Sequence, residues 1–108
     1  MTPAIVVLVT VGSEQEAETI ATALLEERLA ACVSVTSPVR SLYRWEGRIA
    51  DDREWQLIIK TQARLFEALA ARVRALHSYD VPEIIALPVL AGTTDYVDWI
   101  QNETKSER

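Results

Sequence analysis

The chain has 108 residues, 49% of them hydrophobic and 25% charged, a single-domain length with the balance of a folded globular protein. Its net charge of −5 leaves no basic surplus to displace counterions from a phosphate backbone, which argues against a nucleic-acid partner. The one cysteine, Cys32, cannot close an intrachain disulfide, and no run approaches the ~18–20 apolar residues of a membrane span, so a cytoplasmic protein with no membrane partner is expected.

Residues 4–11 are an unbroken apolar and β-branched run, which predicts a central strand buried on both faces. The run is short and lacks the basic flank of a signal peptide. Gly12 ends it. Ser13, with Glu16 three residues on, predicts an N-cap and capping box. Ala17, Ile20, Ala21 and Leu24 then recur at helical spacing, so a helix is expected from residue 13 to about residue 29. Glu14, Glu16 and Glu18 complement its dipole at the start and Arg28 near the end.

Residues 31–36 read as a second strand, and Pro38 marks a bulge or edge before residues 39–45. Alternation there sends Ser41, Tyr43 and Trp45 to one face and Leu42 and Arg44 to the other. Glu46-Gly47 predicts a reversal. The return strand, residues 49–60, is polar at Asp51, Asp52 and Arg53 and apolar at Trp55, Leu57, Ile58 and Ile59. Thr61 is expected to cap a second helix with the stripe Leu65, Phe66, Leu69, Val73 and Leu76. Residues 77–80 read as a loop and residues 83–89 as the last strand. Thr94, Asp95 and Asp98 open a short helix carrying Tyr96, Trp99 and Ile100, and residues 104–108 are expected to form a frayed tail.

This order, β-α-β-β-α-β with one further helix, predicts an α+β ferredoxin-like sandwich with a long central hairpin, as one domain over residues 1–108. Two helices cover one face of such a sheet and leave the other bare. A hairpin apolar on both sides adds more surface of that kind, so association with further copies of the chain is expected.

Two groups of side chains are candidates for chemistry. A Cys32 thiolate suits copper or zinc, yet such a site needs two to four convergent nitrogen or sulfur ligands, and a lone strand cysteine ordinarily packs as a small hydrophobe. His77 stands where it would serve as a C-cap, or as a ligand beside Tyr79, Asp80 and Glu83. Carboxylates there would hold a divalent ion weakly, more so if a neighbouring subunit added oxygens. The metal candidates are therefore His77, Cys32 and Glu83. The second group is Ser41, Tyr43, Glu54 and Lys60, with Tyr79. It reads either as an inter-subunit network or as a cleft for a small anion or metabolite, depending on a register that the sequence leaves open. Tyr43, Trp45, Trp55, Tyr96 and Trp99 are expected to pack in core or interface. No nucleophile–base pattern, phosphate loop or metal-hydrolase motif is present, so no catalysis is expected.

Leu29-Ala30-Ala31-Cys32-Val33, Ser41-Leu42-Tyr43-Arg44-Trp45-Glu46-Gly47, Glu54 followed by Lys60-Thr61, and His77-Ser78-Tyr79-Asp80-Val81-Pro82-Glu83-Ile84 come in that order, with Tyr96 and Trp99-Ile100 near the end. Together they resemble the CutA family of divalent-cation-tolerance proteins over nearly the whole chain. The resemblance implies a ferredoxin-like protomer in a tight homotrimer with exchanged hairpins, similar to PII-type signalling trimers. It also implies a non-enzymatic link to tolerance of copper and other divalent cations, with copper or zinc weakly bound. Copper-binding members carry a cysteine late in the first strand and two adjacent histidines, where this chain has Val9 and Leu76-His77. The alternative is a PII-like regulatory module that binds a small metabolite or anion between subunits and signals to a partner protein.

Overall fold

A computed structural model describes residues 1–106 of the chain. It runs β1 (Ala4–Val11), α1 (Glu14–Glu26), β2 (Cys32–Val35), β3 (Val39–Trp45), β4 (Arg48–Gln62), a 3-10 turn (Ala63–Leu65), α2 (Phe66–Leu76), β5 (Ile84–Pro88) and α3 (Thr94–Glu103). The expected α+β order is therefore observed. All strand pairs are antiparallel, in the order β2-β4-β1-β5, and β3 pairs with the distal half of β4.

β1 lies between β4 and β5, with Val7 opposite Ile59 on one side and Ala86 on the other. Its odd-numbered side chains, with Leu57 and Ile59 of β4, meet Ala17, Ile20 and Leu24 of α1 and Leu69 and Val73 of α2 in one buried cluster. Each of the larger side chains there contributes about 1.5–3 kcal/mol by leaving water. The other face of the sheet differs from the expectation for β1. Val6 and Leu8 are only half-buried, and Ile85 and Leu87 beside them on β5 are 51% and 50% exposed. The core helices α1 and α2 sit on the opposite side, and Ile85 and Leu87 stay exposed among the described residues.

Ser13 caps α1 as expected, its Oγ accepting the Glu16 N–H at 3.1 Å. The reciprocal half of the capping box does not form, because the Glu16 carboxylate is drawn to Ser78. The helix also closes short of residue 29. Arg28 turns left-handed (φ 58°), which lets the N–H groups of Leu29 and Ala30 both reach Leu24 O at 2.9 and 3.3 Å. Arg28 then donates to Asn102 O at 2.8 Å, tying this corner to α3 instead of to the end of its own helix.

Thr61 does not cap α2. It is fully buried at the end of β4, where its Oγ donates to Leu29 O at 2.6 Å, and α2 is entered through the 3-10 turn after Gln62. The expected reversal at Glu46-Gly47 is a two-residue turn with both φ angles positive (50° and 79°), the geometry that matches strand twist. It fixes the register of β3 on β4, with Ser41 opposite Asp52 and Tyr43 opposite Ala50. Between β2 and β3 the pairing with β4 advances by one residue, from Val35 opposite Leu57 to Val39 opposite Glu54. Thr36 bridges the bulge: its N–H donates to Gln56 O and its Oγ accepts the Gln56 N–H, both at 3.0 Å. The hairpin projects from the body and gives a molecule of 44 × 25 × 23 Å.

The tail expected from residue 104 is anchored at its start. Thr104 is buried and accepts from Gln62 Nε2 at 2.6 Å, and Lys105 N donates to Arg28 O at 2.8 Å. The remainder of that expectation, Glu107 and Arg108, lies outside the described residues.

Candidate functional site

The register places Val39, Ser41 and Tyr43 of β3 and Glu54 and Asp52 of β4 on one side of the hairpin. Residues 77–83 fold against the end of β1 and face that side. Between loop and hairpin lies a groove of about 750 Å³, whose lining includes Thr10, Ser41, Tyr43, Trp45, Glu54, Tyr79 and Glu83.

The loop is pinned by residues from two other elements. Glu16 of α1 accepts the Ser78 N–H at 3.0 Å and the Ser78 hydroxyl at 2.9 Å. His77 accepts the Tyr79 N–H on Nδ1 at 3.1 Å, which assigns the remaining proton to Nε2, the donor to Thr10 O at 2.7 Å. The His77 and Tyr79 rings pack at 4.7 Å between centroids. So held, Tyr79 donates its hydroxyl to Glu54 Oε2 at 2.8 Å. Gly12 permits the approach, since a Cβ there would lie 3.2 Å from Tyr79 Oη. Replacing Glu16 by alanine should cost about 1.5–3 kcal/mol, the range for hydrogen bonds to a charged group. Amide exchange should quicken at Ser78 and Tyr79, and unchanged exchange there would show that the loop is held by other means.

Electrostatics in the groove follow from this packing. Burial, and then the hydrogen bond to Glu54, push the Tyr79 phenol well above its ordinary range, so it stays a donor. Tyr43 is raised too, first by its hydrogen bond to Asp52 and then by burial. Glu83 is held above the usual glutamate value by burial and by the negative charge of Glu54. A raised folded-state value means that Glu83 favours folding below the ordinary glutamate pKa of about 4.3, and that this contribution is lost as pH rises through the raised value. Glu83→Gln should therefore raise the melting temperature relative to the parent at pH 7, with the gap closing toward pH 4. A gap that is flat or opens on acidification would contradict the assignment.

The structure brings together Ser41, Tyr43, Glu54, Tyr79 and Glu83. Lys60 is not among them, because it pairs with Cys32 nearer the middle of the sheet, its Nζ 3.9 Å from the Cys32 sulfur. The metal trio His77, Cys32 and Glu83 is not assembled. Cys32 is registered with Lys60, whereas His77 bonds Thr10, whose partner is Gln56, four positions along β4 or roughly 13 Å at strand rise. His77 also has no free lone pair, since Nε2 carries a proton and Nδ1 accepts from Tyr79. His77 does stand at the C-cap of α2, as expected, but its fully buried side chain serves Thr10 and the loop instead of the α2 carbonyls. No group of three His, Cys, Asp or Glu poised for a metal ion occurs among the described residues. Among the lining residues that the sequence did not assign to the site are Arg40 and Trp45, the latter assigned to packing yet 45% exposed. Asp52, which accepts from Tyr43, becomes visible as its partner only once the Glu46-Gly47 turn sets the register.

Fold and groove together define a small ferredoxin-like protein with a ligand-sized cleft beside a projecting hairpin. The family model described as "CutA1 divalent ion tolerance protein" matches residues 5–103, and the chain belongs to that family. A "Divalent-cation tolerance protein CutA" from Thermus thermophilus is 52% identical over 99 residues, covering 92% of this chain and 96% of that protein. Its solved counterpart from Thermus thermophilus superposes with a TM-score of 0.92 at 50% identity, over 94% of this chain and 99% of that one. CutA1 from Oryza sativa gives 0.94 at 43% identity, over 98% and 97% of the two chains. The chain spans only 57% of the longer "Protein CutA, chloroplastic" of Arabidopsis thaliana, with 44% identity over 96% of its own length.

Proposed function

We propose that this chain acts, as a single domain and without catalysis, in a homotrimer of the CutA type that takes part in tolerance of divalent cations. The observation that carries this reading is the near full-length match to relatives named for that tolerance. The apolar sheet face with Ile85 and Leu87 and the exposed hairpin side chains Leu42, Trp45 and Ile49 support the trimer, since neither surface is covered among the described residues. A non-catalytic role accords with two phenols held as donors and a histidine with both nitrogens engaged. Copper or zinc is bound weakly, at carboxylates such as Glu83 completed by a neighbouring copy. Calorimetric titration of the assembled protein with copper(II) or zinc(II) should show weak binding that Glu83→Gln reduces. The absence of any binding would remove the metal from the account. A cytoplasmic location belongs to this proposal. No helix among the described residues is long and apolar enough to cross a membrane. One archaeal relative is titled periplasmic and one plant relative chloroplastic.

The groove favours a second reading, a regulatory module that binds a small molecule and signals to a partner protein. Its volume of about 750 Å³ falls within the range of small-molecule sites, roughly 300–1,000 Å³. A ligand confined to the folded protein must raise its melting temperature, so a thermal-shift screen of metabolites separates the readings. A hit would favour regulation, and a flat screen would favour the metal.

A further inference from the structure

His77 is the sole histidine of the chain, and its side chain is fully buried within the single protomer. Its contacts are therefore set inside the chain, whatever covers the hairpin in an assembly. Nε2 lies 2.7 Å from Thr10 O. A carbonyl oxygen can only accept, so Nε2 keeps its proton in the neutral and the charged ring alike. A second proton can then enter only at Nδ1, which stands between two groups of opposite demand. The Tyr79 N–H donates to it at 3.1 Å, and Glu16 Oε2 lies 3.3 Å away. With Nδ1 bare, the amide bond forms and the ring nitrogen and the carboxylate face each other as two acceptors. With Nδ1 protonated, the ring and the Tyr79 amide become two donors and must part, while the carboxylate gains a charge-assisted hydrogen bond.

We propose that His77 is a pH-operated latch on the loop of residues 77–83: protonation at Nδ1 moves the ring's bond from the Tyr79 amide to the Glu16 carboxylate and loosens Tyr79. The consequence reaches the hairpin, because Tyr79 packs its ring on His77 and holds Glu54 of β4 through its hydroxyl at 2.8 Å. A carboxylate has about four acceptor sites, so Glu16 takes the ring without releasing Ser78, which stays bound at 3.0 and 2.9 Å. The loop therefore stays tied to α1 at Ser78 and slackens beyond it. Of the titratable groups on the elements around the ring, α1 contributes Glu16, the loop Tyr79, and β4 Glu54 through the Tyr79 hydroxyl, while β1 presents the Thr10 carbonyl. The Tyr79 phenol, pushed above its ordinary range by burial and by Glu54, stays protonated throughout. Glu83 of the same loop is raised by burial and by Glu54, so it is the acid to remove in a control. The latch works in the same way with or without a bound metal or metabolite.

The test is an NMR titration of the assembled protein, in buffer with a chelator, across the histidine range of about pH 8 to 5. It follows the two ring nitrogens of His77, unambiguous in a chain with one histidine, and the amides of Ser78 and Tyr79. Nδ1 should pass from the shift of a bare nitrogen to that of a protonated one, while Nε2 stays protonated at every pH. The Tyr79 amide proton should move upfield with the same midpoint and lose protection against exchange, and Ser78 should keep its protection. Glu83→Gln should leave that coupling intact. Glu16→Gln keeps an oxygen for Ser78 but removes the counter-charge, so the ring and amide curves should move together to lower pH. A Tyr79 amide that stays still while Nδ1 titrates would overturn the latch. So would a Tyr79 step that vanishes in Glu83→Gln, or a ring that takes up no proton before the protein unfolds.

Discussion

Replacing Ile85 by aspartate should convert the assembled protein into folded single chains. In the isolated protomer Ile85 is 51% exposed on β5, so an aspartate there stays in water and the helix-covered core is untouched. In an assembly that covers this face, the same change removes about 1.5–3 kcal/mol of apolar burial from each copy. It also places a carboxylate without a partner in an apolar contact, a further cost of several kcal/mol by polar-transfer values of roughly 2–7 kcal/mol. Repeated at each of three contacts, the loss is expected to release the copies from one another. Sedimentation or multi-angle light scattering reads the mass directly, and circular dichroism confirms that the fold survives. An aspartate variant that keeps the parental mass would show that this face is not the interface.

The second large effect is expected in the core. Leu24 on α1 is fully buried against β1 and β4, and Leu24→Ala should destabilise by about 3–5 kcal/mol through lost burial and the cavity left behind. At about 4–8 °C per kcal/mol for a domain of this size, the melting temperature should drop by more than 10 °C, read at fixed chain concentration because assembly adds to apparent stability. Leu25, the next residue on the same helix, is 41% exposed. Leu25→Ala should stay within about 0.5 kcal/mol of the parent. Equal losses at the two positions would mean that Leu25 is covered by something outside the chain, and that α1 belongs to the assembly surface.

How much of this was legible beforehand varied with the kind of signal. Elements declared by local chemistry could be read directly. Ser13 ended the loop before α1 because its hydroxyl fits an exposed N–H, and Glu46-Gly47 reversed the chain because both residues take positive φ. Signals whose partners lie far along the chain misled. Glu16 and Thr61 have the right residue type for helix caps, but each is committed to a distant group, Ser78 in one case and Leu29 in the other. The groove was half legible for the same reason. Ser41 and Tyr43 share a face by alternation, and Glu54 joins them only through the pairing that the turn dictates. Lys60 has the same parity as Glu54 on β4, so alternation drew it into the site. Six residues of strand, roughly 20 Å, in fact separate the two. Within the chain His77 is committed to Thr10 and Tyr79, which a sequence showing only a histidine does not reveal.

The central claim is that an uncovered sheet face and a projecting aromatic hairpin are satisfied by two further copies of the same chain. Native mass spectrometry of the unmodified protein, diluted stepwise to nanomolar concentration, tests it most directly. The account predicts a species of three times the 12.1 kDa chain mass that persists on dilution. A folded species of 12.1 kDa across the same range would contradict it.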